Sequence, residues 1–164
     1  MASTFSGPVT STNGFVGNLT GAVLTAPVNV TASTVTVSPG THGGRVVTLN
    51  RAAGIAVTLP ASTGGGAKYE FFVGTTVTSN STTIKVANAS DIMSGLAIQA
   101  ADAGSTSNAW ETGATDDTIT FNGSTTGGIK GDQVVLQDVS LNVWSVRVYG
   151  SATGIEATPF SATV

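Results

Sequence analysis

Residues 45–74 read RVVTLNRAAGIAVTLPASTGGGAKYEFFVG, and the alternation within them decides the fold class. Val47 and Leu49 alternate with Val46 and Thr48, and Ile55, Val57 and Leu59 alternate with Ala56 and Thr58. A period of two is the signature of strands that bury one face. The two runs, Arg45–Leu49 and Ile55–Leu59, are joined by five residues, Asn50 to Gly54. Gly54 can adopt the positive φ that closes a short loop, so the spacing predicts a hairpin. Pro60 removes a ladder donor and stops the second run. After the polar Ser62–Gly66 loop comes the densest aromatic strand of the chain, Tyr69-Glu70-Phe71-Phe72-Val73. The stretch reads as the nucleus of a β-sheet core, with no reaction centre in it.

Working outward, Val28–Thr31 and Thr34–Val37 alternate on either side of Ala32-Ser33, where a bend or bulge fits. Ser38-Pro39-Gly40 signals a turn, and Thr82–Ala87 is a strand with Ile84 and Val86 on one face. Asp91–Ala101 has no single helical stripe and carries Gly95 mid-run, so it is read as a strand. Asp102–Asp117 is predicted to be a long polar loop around Trp110. Thr118–Asn122, Gln133–Gln137 and Asn142–Tyr149 follow as strands, the last with Trp144, Val146 and Val148 sharing a face. Eight or nine short strands with Gly, Pro and Asn turns predict an all-β domain over residues 28–150, a β-sandwich or jelly-roll-like barrel. No period of about 20–50 residues repeats along the chain. Residues 151–164 read as a thin C-terminal tail holding Ile155 and Phe160.

Residues 1–27 are small, Gly-punctuated and nearly chargeless. So much Gly and Thr disfavours helix, and the segment is too poor in apolar groups to bury a core alone. The expectation is an extended N-terminal arm that orders on a neighbouring subunit, with Phe5, Val9, Phe15 and Leu19 as the contact residues.

Composition narrows the function. Of the 164 residues only 9% are charged, and the net charge is −3. So few surface charges suit a chain packed against copies of itself or a partner. The six Lys and Arg residues are scattered singly, which argues against nucleic-acid binding. No run approaches the ~18 apolar residues of a membrane span. There is no cysteine, hence no disulfide, thiolate metal site or Cys nucleophile. Met1 to Phe5 lack a basic and apolar leader, so synthesis and retention in a cytoplasm until assembly are expected.

Candidate chemistry is sparse. His42, the single histidine, lies in Gly40–Arg45 without a neighbouring acid, and is read as bonding its own loop. Gly43-Gly44 and Gly64-Gly65-Gly66 lack the lysine and following helix of a phosphate loop, and are read as turn glycines. Asp102, Glu111, Asp116 and Asp117 offer oxygen ligands for Ca²⁺, but without the spacing of a calcium loop. Glu70, Glu111 and Asp117 are the carboxylates a glycosidase would draw on, yet the aromatics lie on predicted core strands. No Gly-x-Ser-x-Gly elbow is present. The expectation is a protein that is not an enzyme, with no cofactor, metal or small-molecule substrate.

One resemblance spans most of the chain. Thr4–Phe15, TFSGPVTSTNGF, resembles the leader of many small structural proteins of tailed bacteriophages. Val47–Gly54, Val57–Pro60, Gly66–Tyr69, Phe72–Gly74 and Ala109–Thr112 resemble proteins of the head decoration, or cement, class. That resemblance implies a small β-rich protein, often a homotrimer, that clamps the major capsid protein on the virion surface and carries no catalytic residues. Tail-fibre and spike proteins have similar leaders, so a tail-fibre or receptor-binding component is the alternative.

Overall fold

The computed structural model describes residues 26–102 and 106–164. Twelve strands follow one another: β1 (Val28–Val30), β2 (Thr34–Thr36), β3 (Val46–Leu49), β4 (Ala56–Thr58), β5 (Lys68–Val73) and β6 (Thr82–Lys85) in the first half. The second half holds β7 (Ile92–Ala100), β8 (Ser107–Glu111), β9 (Thr118–Phe121), β10 (Gln133–Ser140), β11 (Val143–Ser151) and β12 (Phe160–Ser161). One helical turn, α1 (Pro39–His42), lies between β2 and β3, with Pro39 at its start where a missing N–H costs nothing.

Alternation in the sequence becomes inward and outward faces in space. Val47 and Leu49 of β3, Tyr69, Phe71 and Val73 of β5, and Trp144, Val146 and Val148 of β11 are all buried. A seven-stranded sheet, ordered β1-β3-β5-β10-β11-β7-β8, and a five-stranded sheet, ordered β12-β9-β6-β4-β2, enclose one shared apolar core. The chain is thus an all-β sandwich. It is not a jelly roll, whose strands run antiparallel, because its first half is parallel.

The hairpin predicted between Arg45–Leu49 and Ile55–Leu59 does not form. β3 pairs in parallel with β1 and β5 in the larger sheet, while β4 pairs in parallel with β2 and β6 in the smaller. The connection crosses from one sheet to the other, so Val47 and Leu49 point at the core from one side and Val57 from the other. Ala32-Ser33 performs the same crossing between β1 and β2, where a bend within one strand was expected. The first six strands therefore wind as a three-turn coil. Val28, Val47 and Phe71 stack in one column, so its turns take 19 residues (28 to 47) and 24 residues (47 to 71). Links of unequal length and different column residues hide this period from a search for repeats.

Gly54 sits at such a crossing with φ +75. A Cβ there would overlap the carbonyls of Asn80 and Ser81 on the next turn of the coil. Gly54→Ala is expected to cost about 2 kcal/mol from left-handed strain and close approach, read as a melting temperature lower by roughly 4–8 °C.

The second half closes the sandwich with antiparallel strands. β10 and β11 form a hairpin through Leu141-Asn142, with Asn142 at φ 62, and β10 also pairs with β5. Asp91–Ala101, read as a strand, contains the nine-residue β7, parallel to β11. Two expectations are corrected. The Asp102–Asp117 loop contains β8, antiparallel to β7, with Trp110 opposite Ala97 and packed on the core. Its Ser-Asn-Ala-Trp-Glu run has one large apolar residue, so ladder pairing rather than alternation makes it a strand. The 151–164 tail holds β12 on the edge of β9, with Phe160 buried against the core.

Candidate functional site

A carboxylate at a core-facing position of a strand must find donors or remain neutral. Asp138 is such a residue, at the far end of β10, where the pairing with β11 shifts register. The loop between β4 and β5 wraps around it. Gly64 N–H donates to Oδ1 at 2.7 Å and Gly65 N–H to Oδ2 at 2.9 Å. Thr63 N–H reaches both oxygens at 3.2 and 3.1 Å, Ser62 Oγ lies 2.8 Å from Oδ1, and Thr63 Oγ1 lies 3.1 Å from Oδ2. Burial pushes the carboxyl up, but the bonds from Ser62, Gly64, Thr63 and Gly65 outweigh it and hold the pKa at about 2. The triple glycine, read as an ordinary turn, is an anion cradle after all. Its anion is the chain's own Asp138.

Beside this cradle lies a cleft of about 470 Å³ walled by Pro39, Pro60, Ala67 and Trp144. Behind it the Tyr69 and Trp144 rings pack with centroids 5.8 Å apart at 44°. Burial, then the Asp138 charge, raise the Tyr69 hydroxyl above its usual pKa. The one carboxylate in the cleft is saturated by the β4–β5 loop, so it is poorly placed to act as a general base. His42 is nearly buried in α1, and its Nδ1 accepts from Ser38 N–H at 3.1 Å, within its own turn. A second depression, about 370 Å³, lies at the Gly54 crossing between Arg51 and Asn80.

Three further buried carboxylates are used in the same way. Asp91 accepts from Ser62 N–H and Asn88 Nδ2, each at 3.0 Å. Asp132 accepts from Gly128, Ile129 and Ser151 N–H at 2.8, 3.0 and 2.9 Å, yet burial prevails and holds its pKa above the usual value. Asp117 is pushed up by burial and pulled down further by Thr163 N–H, Thr118 Oγ1, Val164 N–H and the Lys85 charge, leaving it below the usual value. Asp91 ties the β6–β7 loop to the β4–β5 loop, Asp132 ties its own turn to β11, and Asp117 ties Thr163 and Val164 to the start of β9.

The residues singled out from the sequence do not converge. Phe5, Val9, Phe15 and Leu19 lie outside the described residues. Asp102 accepts from Gly154 N–H at 3.0 Å, and Asp116 from Gly113 N–H at 2.7 Å. Glu111 and Glu70 stand on the outer face of the larger sheet four strands apart, while Asp117 precedes β9 in the smaller one. Among the described residues no group of three His, Cys, Asp or Glu side chains is placed to hold a metal, and no helix is long and apolar enough to cross a membrane. What the sequence reading missed is Asp138, and its signal was there: an acid at an inward position of the alternating run Gln133–Ser140. The chain matches no protein-family model, no curated protein and no solved structure.

Proposed function

We propose that this chain is a non-enzymatic virion protein that decorates the head of a tailed bacteriophage and clamps its major capsid protein. The observation carrying this reading is the use made of the four buried aspartates, all bound to backbone amides as staples between segments distant in sequence. Such a molecule resists being pulled apart, and its described buried carboxylates are spent on backbone donors. Its mechanism is mechanical: packaged DNA pushes capsid subunits outward, and many weak contacts oppose that, with attachment at several points raising the effective affinity.

In this reading the first 27 residues form the arm that reaches a neighbouring subunit. Burying a Phe such as Phe5 or Phe15 contributes roughly 1.5–3 kcal/mol, offset by about 1–2 kcal/mol for each backbone residue ordered. Removing residues 1–20 is expected to leave the melting temperature of the sandwich nearly unchanged. Affinity for capsids stripped of the protein should fall at least about tenfold, or about 1.4 kcal/mol. Co-sedimentation of full-length and shortened chains with such capsids measures this, and equal occupancy at every concentration would remove the arm from the proposal.

The parallel coil of β1–β6 supports a second reading, a tail-fibre or receptor-binding component, because stacked coils are an architecture of elongated β proteins. Cryo-electron microscopy of virions separates the two by where the chain's density lies.

A further inference from the structure

On the outer face of the seven-stranded sheet Gln133, Arg147, Tyr149, Leu96, Ile98 and Glu111 are exposed, Val46, Glu70, Phe72 and Val135 are half-buried, and the side chains form ordered rows. Along one row the registers align Thr48, Phe72, Gln133, Tyr149, Ile98 and Ala109. Along the next they align Val46, Glu70, Val135, Arg147, Leu96 and Glu111. Tyr149, Ile98 and Leu96 are 47%, 40% and 39% exposed, a high value for three large apolar groups on adjacent strands.

The central strand of this sheet is β10, with three strands on either side. A twofold axis along β10, lying between two copies packed face to face, would bring each residue against the one equally far from β10 in the same row. That operation sets Glu70 against Arg147 of the second copy, and Arg147 against its Glu70. It sets Phe72 against Tyr149 and Val46 against Leu96, while Gln133 and Val135 meet their own counterparts on the axis. Glu70 and Arg147 each find an opposite charge, and Phe72, Tyr149, Val46 and Leu96 each find an apolar group, while Ile98 meets Thr48 and Glu111 lies at the rim beyond any charged counterpart. Within one copy Glu70 and Arg147 are two strand spacings apart, about 10 Å, with Val135 between them.

We propose that this face is the contact between two copies of the chain, an isologous pairing about β10 with the Glu70–Arg147 pair formed twice. Self-complementarity of this kind is what a twofold interface requires. Seven strands about 4.8 Å apart and about six residues long present roughly 700 Å², close to the ~800 Å² each partner gives to a standard interface. Aligned packing of two such sheets is an ordinary sandwich geometry. The pairing stands independently of the capsid reading.

Sedimentation of the full chain across a range of concentrations should give twice the chain mass. Glu70→Arg and Arg147→Glu should each weaken the pairing at least about tenfold by opposing like charges, and the double variant E70R/R147E should restore it to within about threefold. Both side chains are on the outer face, so each variant should keep the fold, read as an unchanged circular-dichroism spectrum. A second measurement does not depend on those variants folding. The chain has no cysteine, so Gln133→Cys, on the axis, should be joined between copies by a short bismaleimide. Ala109→Cys, whose copies would be about 29 Å apart, should not. A single-chain mass at all concentrations, a three-chain mass, a pairing indifferent to the single reversals or not rescued by the double one, or equal cross-linking at both cysteines would each overturn the proposal. Loss of pairing on removing residues 1–25, with the charge variants inert, would overturn it in favour of that segment as the occupant.

Discussion

Trp144→Ala is expected to destabilise the sandwich by about 3–5 kcal/mol, the cost of truncating a large core side chain. Trp144 heads the fully buried residues by size and sits near the middle of the larger sheet, opposite Asp138 on β10 and Met93 on β7. Its ring is held by Tyr69, whose contact adds about 0.5–1.5 kcal/mol beyond area burial. Neighbours on ladders have little freedom to collapse into the space left, so most of the cavity should persist. The measurement is urea unfolding at neutral pH, followed by a signal other than tryptophan fluorescence. A midpoint unchanged from the native chain would mean that the ring is not packed as described. Trp144→Phe, which keeps most of the volume, should lose less than half as much.

Asp138→Ala is the second, with an expected loss of about 3 kcal/mol at neutral pH. Three backbone N–H groups and two hydroxyls would lose their common acceptor, and only part of the loop could turn to water. Asp138→Asn should not rescue it, because the amide presents donors to donors. The pH dependence follows from the sign of the shift. A carboxyl held at about 2 when folded, below its ordinary 3.8, contributes stability that is complete above the ordinary value and disappears as the pH falls through about 2. The melting temperatures of native and D138A proteins should therefore differ most above pH ~4 and converge toward pH ~2. A constant gap across that range would show that the carboxylate charge is not what holds the loop. Asp132 works against this trend, since its raised pKa means that ionisation above the ordinary value costs stability.

Much of the core was legible. Tyr69, Phe71 and Val73, and Trp144, Val146 and Val148, were assigned to common faces by alternation alone, and all six are buried. The Asp138 cradle was not, though both halves were visible as a glycine-rich loop and an acid on an inward strand position. They are more than seventy residues apart, and local sequence holds no record of such a meeting. The self-complementary rows of the outer face have the same origin. Glu70, Val135, Arg147 and Leu96 come from four strands, and only the registers put them in one line.

The amino-acid sequence by itself determined that the described residues are nearly all β in class, which residues of most strands face inward, and where most turns fall. Those properties are local: they depend on side-chain alternation and on what Gly, Pro and Asn permit in the backbone. Which strands become neighbours was decided only by the tertiary structure. Asn50–Gly54 shows why. A five-residue link ending in a positive-φ glycine serves equally to fold β4 back beside β3 or to carry it across to the opposite sheet, and either course buries Val47, Leu49 and Val57. The crossing wins because β1 and β5 already occupy both edges of β3, and β2 and β6 both edges of β4. β3 and β4 are then paired on both sides, and the two apolar faces close on each other.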